Sequence, residues 1–122
     1  MGERVLYYNQ QGKGCAASIL LAARDYYGIA VDEKLEQAGK AVCPGFGVGC
    51  FCSAFVACIM VMGLVLPETE VPQARLQFLM QMQEKWGSLN CGIISAQASD
   101  CNEVLVSAAE ALEAVLADRR EC

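Results

Sequence analysis

The stretch "GFGVGCFCSAFVACIMVMGLVL", from Gly45 to Leu66, carries no charge and ends at Pro67. An element that is apolar on every side must be covered on every side, in a protein core or in a membrane. The part from Cys50 to Leu66 is only as long as the shortest membrane span, roughly 17 residues. It contains Cys50, Cys52, Ser53 and Gly63, and no positively charged flank adjoins it. These features predict a buried central helix from about Cys52 to Leu66.

Other elements follow from punctuation. Cys15, Ile19, Ala22, Ala23 and Tyr26 recur at helical spacing over 14–27, and Gly28 closes that run. Asp32 caps a second helix through about Val42, ended by Pro44. A helix over 70–86 carries Pro72 in its first turn, where proline is tolerated. Leu76, Leu79, Met80 and Gln83 mark its inner face. A short segment, 91–96, gives one or two helical turns. Asp100-Cys101-Asn102-Glu103 resembles a capping box and opens a helix to about Asp118. Its stripe is Val104, Leu105, Ala108, Leu112, Val115 and Leu116. Only 5–8 and 29–31 have a β-like composition. The expected architecture is all-α: a compact single-domain bundle over 1–122, with about five helices around the buried apolar one.

Composition then narrows function. The chain has 122 residues, 55% of them hydrophobic, and a net charge of −5. It can bury a substantial core, and the apolar excess leaves room for a homodimer interface. No basic footprint for nucleic acid is visible, and an anionic membrane surface would repel the chain. "MGERVLYYNQQGKGC" has no secretory-signal pattern, so the expected location is cytoplasmic.

Eight cysteines stand beside no histidine. That excludes Cys-His and Ser-His-Asp catalysis and c-type haem attachment. No C-x-x-C occurs, which removes a thioredoxin-like dithiol. In a reducing compartment the thiols point to metal binding or redox chemistry rather than a disulfide framework.

Four cysteines occupy one kind of place. Cys15, Cys52, Cys91 and Cys101 each open an expected helix, after Gly14, the Gly-rich loop, Asn90 and Ser99-Asp100 respectively. Free N–H groups and the positive dipole end favour an anion there, which lowers a thiol's pKa and strengthens the thiolate as ligand or nucleophile. Buried cysteine also packs as a small hydrophobe, which is the expected role of mid-helix Cys58. Cys122 is terminal and incidental to this pattern; Cys43 fits either role. Cys50 forms a C-x-C pair with Cys52 and is a reserve ligand. Tyr7-Tyr8 and Tyr26-Tyr27 suit amphipathic packing, the methionines core filling, and Lys13 a solvated position.

The order Gly14-Cys15-Ala16, "GFGVGCFCSA", Trp86-Gly87-Ser88-Leu89-Asn90-Cys91 and Cys101 resembles the small helical redox-active proteins named for the pattern C_GCAxxG_C_C. The match spans about residues 12–110. Ser53 and Ala57 stand where that pattern would have glycine, so the family position falls on either Cys50 or Cys52. The resemblance implies redox function, and an iron–sulfur cluster is attributed to a similar module that accompanies a multihaem domain.

Together the residues and the resemblance lead to an iron–sulfur cluster held by Cys15, Cys52, Cys91 and Cys101, [2Fe–2S] in preference to [4Fe–4S]. Such a cluster is readily lost in air. Its thiols are expected within roughly 4–7 Å of one another, in a pocket walled by the "GFGVG" loop. Electron transfer to a basic redox partner protein suits the acidic surface. Metal-free dithiol/disulfide exchange, a four-cysteine zinc site and an interaction module with inert thiols are the alternatives.

Overall fold

The computed structural model describes residues 1–43, 45–98 and 100–120. Pro44, Ser99 and Cys122, each invoked above, lie outside the described residues. Seven α-helices are present among those described: α1 Gly2–Gln10, α2 Cys15–Tyr27, α3 Glu33–Ala41, α4 Ser53–Val65, α5 Val71–Trp86, α6 Cys91–Gln97 and α7 Cys101–Arg120. The chain is an all-α bundle, and no strand occurs among the described residues. None of these helices is long and apolar enough to cross a membrane.

The end signals act as their chemistry dictates. Asp32 Oδ1 accepts the Leu35 N–H at 2.9 Å and opens α3. Asp100 Oδ1 accepts from the N–H groups of Asn102 and Glu103 at 2.9 and 3.3 Å and opens α7. Gly28 and Gly87 take left-handed conformations after α2 and α5.

The bundle holds more helices than the five expected. The β-like 5–8 lies within α1, whose Val5 and Tyr8 are buried. Tertiary burial overrides β propensity there. Two helices share the centre. α4 is buried through Ala54, Phe55, Ala57, Cys58, Val61 and Met62, and α2 is buried without interruption from Ala16 to Ala23. These two pack on each other. α1 lies across α2 and α7, α3 covers α2, and α5 closes over α4 and α7.

α5 presents a different face from the expected one. Ala74, Phe78 and Met82 are buried, whereas Leu76 and Met80 are exposed. Phe78 packs edge-to-face on Phe55, with ring centroids 5.8 Å apart. A large aromatic gains more from burial than a leucine or methionine, and it sets the helix rotation. Elsewhere Tyr7 and Tyr26 are exposed, while Tyr8 is buried and donates its hydroxyl hydrogen bond to Asp25. Lys13 is held in an ion pair with Glu36 at 3.2 Å rather than solvated.

Candidate functional site: a cavity lined by four thiols

Each of the four singled-out cysteines stands at a helix start. Cys15, Cys91 and Cys101 are the first residues of α2, α6 and α7, and Cys52 is the N-cap of α4. The bundle aims these starts at one place. Cys15, Cys52, Cys91 and Cys101 line a single cavity of about 130 Å³. Ile94, Ala98, Val104 and Leu105 complete an apolar wall, and Ser53, Ser95 and Asp100 add polar edges. Nothing in the spacing of Ser53 or Asp100 reveals their place at the cavity; Asp100 is legible only as the cap of α7.

A backbone clasp brings two of these starts together. The Cys52 N–H donates to the Leu89 carbonyl at 2.9 Å. The Cys91 N–H donates to the Cys50 carbonyl at 2.6 Å, and the Gly92 N–H to the Gly49 carbonyl at 3.1 Å. Phe51 and Asn90 form an isolated antiparallel bridge at its centre. Gly45 lies under the clasp with φ of +52°, and a Cβ there would fall 2.7 Å from the Cys91 Cβ. The "GFGVG" loop therefore braces Cys91 from behind and does not line the cavity, contrary to the expectation that it forms a wall. It is held by its own turns, in which Gly45 accepts from Val48 and Cys50.

The remaining thiols divide clearly. Cys58 is fully buried, and its thiol donates to the Ala108 carbonyl at 3.8 Å, a packing role. Cys50 is exposed and outside the cavity lining, so of the C-x-C pair it is Cys52 that faces the cavity. Cys43 falls in a turn after α3, with no helix-start signature, yet lies against the start of α2. Its sulfur is 3.6 Å from the point where a Cβ would stand on Gly14.

The electrostatics reverse one expectation. Burial pushes the Cys15 thiol far above its ordinary pKa, and the thiols of Cys43, Cys101 and Cys52 push it further. Burial also raises Cys52; the N–H groups of Phe55 and Ala54 act against this, while Cys91 and Cys101 reinforce it. Cys91 is raised by burial, then by Cys101 and Cys43. Desolvation and like neighbours thus outweigh the helix dipole. In the metal-free chain these three thiols hold their protons at neutral pH. A cation among them would act against that balance.

Four thiols are the main donors around the cavity, with the Asp100 carboxylate at its edge, and thiols are what soft metals and iron–sulfur clusters take. Among the described residues, no three cysteine or carboxylate side chains come close enough to hold a single metal ion.

Neither the curated proteins nor the solved structures include a match to this chain. The family model described as "Putative redox-active protein (C_GCAxxG_C_C)" matches residues 14–115. That span contains all four cavity cysteines and every cysteine except Cys122. By this match the chain belongs to the C_GCAxxG_C_C family of redox-active proteins.

Proposed function

We propose that the protein binds an iron–sulfur cluster through Cys15, Cys52, Cys91 and Cys101 and acts in electron transfer. The reading rests on one observation: four thiols from four separate helix starts line one cavity. A cluster with cysteine ligands supplies reversible one-electron chemistry when bound. The match to a redox-active family favours a cluster over a structural zinc, which has no redox chemistry. Of the two four-cysteine clusters, the smaller [2Fe–2S] asks for less expansion of this cavity.

The chain's own groups have separate tasks. The four cysteines give up their protons on binding and supply negative charge. The Phe55 and Ala54 N–H groups at the start of α4 favour the Cys52 thiolate, which would tune a cluster's potential. Ile94, Val104 and Leu105 keep water from the inner wall. The net charge of −5 suits a basic redox partner, and free thiols suit a reducing compartment such as the cytoplasm.

Anaerobic purification or reconstitution tests the proposal. The expected product is brown, with sulfur-to-iron charge-transfer absorption and two irons per chain. A colourless, iron-free protein after reconstitution overturns it and leaves metal-free thiol chemistry.

A further inference from the structure

We propose that Cys15 and Cys43 form a reversible disulfide that withdraws Cys15 from the thiol cavity. The proposal rests on the cluster reading only for its consequence, not for the bond itself. Cys43 lies outside the four cavity cysteines, in the turn that follows α3. Its sulfur and Cβ lie 3.6 and 3.9 Å from the point where a Cβ would stand on Gly14. Gly14 has φ of +87° and directly precedes Cys15. A side chain there would be strained by the backbone, and its Cβ would meet the Cys43 sulfur at ordinary van der Waals distance. The Cys43 thiol thus lies against the residue that leads into Cys15 at the start of α2.

Of the thiols around Cys15, that of Cys43 acts on it most strongly. Both are free and partly accessible, unlike Cys58. A disulfide requires sulfurs about 2 Å apart, so closure brings the two side chains together from their present positions.

The oxidant is a small disulfide, RSSR. One cysteine loses its proton and attacks RSSR, releasing RS⁻ and forming a mixed disulfide. The other, also deprotonated, attacks the protein-side sulfur and releases a second RS⁻. The two protons pass to the two thiolates. Two cysteines and one RSSR become one Cys15–Cys43 disulfide and two RSH, and two electrons leave the protein. Cys15 then has no thiolate to offer a metal, and three cavity ligands remain. Reduction restores it.

The test uses the full-length metal-free protein in mixtures of reduced and oxidised glutathione, quenched with acid, alkylated and mapped by mass spectrometry. A Cys15–Cys43 linked peptide is expected, and Cys43→Ala and Cys43→Ser should lack it. Linkage of Cys15 to Cys52, Cys91 or Cys101 instead, or no linkage, overturns the proposal. Iron uptake gives a second arm. Oxidised wild type should load only after thiol reduction, whereas both oxidised variants should load without it. If the reduced variants cannot load while reduced wild type can, Cys43 is a ligand and the switch is wrong. If no form takes up iron, the cluster reading fails, and the peptide map still decides the disulfide.

Discussion

The Cys91 amide donates to the Cys50 carbonyl at 2.6 Å, which fastens the start of α6 to the strand-like segment before α4. Through this bond two cysteines far apart in sequence, Cys52 and Cys91, face the same cavity. Gly45 lies beneath it, so Gly45→Ala is a direct probe. The new methyl group would meet the Cys91 Cβ at 2.7 Å and the Cys50 nitrogen at 3.0 Å. Left-handed strain and overpacking together should cost about 2–4 kcal/mol. Thermal unfolding of the metal-free variant checks this, and an unchanged midpoint contradicts the clasp.

The cysteines should separate by role. Cys58→Ser should retain iron after reconstitution, at a stability cost of about 1–3 kcal/mol, because a buried hydroxyl replaces a weakly polar thiol. Cys15→Ser, Cys52→Ser, Cys91→Ser and Cys101→Ser should each lose most of the iron. Metal analysis against protein concentration distinguishes the two groups. Equal retention in all five variants would remove the distinction between packing and ligation.

The α5 face offers a stability comparison. Phe78 is fully buried against Phe55, while Leu76 is 59% exposed. Phe78→Ala should cost about 3–5 kcal/mol. Leu76→Ala should stay within about 0.5 kcal/mol. Denaturant melts of the two variants decide it; the reverse order would restore the face expected from the sequence.

Helix existence on α7 was fully legible, because Asp100 supplies a cap and the stripe from Val104 to Leu116 keeps strict helical spacing. The rotation of α5 was not. Its sequence has apolar residues on two sides, and only the presence of Phe55 opposite Phe78 selects one. The four cavity cysteines were legible because helix starts leave signals in glycine, asparagine and aspartate. Cys43 left none, since its place is set by the fold of the turn against Gly14. The thiols' proton affinity is hidden from the sequence for a related reason. Dipole position can be inferred from sequence, but burial at 7% exposure for Cys52 comes from packing.

Stability should fall at both ends of the pH range. The raised pKa values of Cys15, Cys52 and Cys91 mean that the folded metal-free protein favours the protonated thiols. Their contribution is complete below the unfolded cysteine value of about 8.5 and is lost as pH rises above it. At the acid end, the hydrogen bond from Tyr8 holds Asp25 below the ordinary carboxylate range, and Lys13 does the same for Glu36. Their contribution is present above about pH 4 and is lost as pH falls through the depressed values. Melting temperatures measured from pH 3 to 10.5 on metal-free protein should form a plateau with two descending limbs. Loss of the alkaline limb in the Cys15→Ser variant would confirm its source, and an unchanged limb in all single cysteine variants would place it elsewhere.

The four cavity thiols come from positions 15, 52, 91 and 101, so the cavity draws on nearly the whole length of the chain. During synthesis, the ribosome has delivered most of the protein before the fourth thiol exists, and Val104 and Leu105 emerge later still. A cofactor presented to the nascent chain would meet an incomplete ring with no inner wall. Loading of such a cofactor would follow translation and double as an inspection, because only a chain finished past α6 and folded onto α7 has a complete set of four thiols to offer.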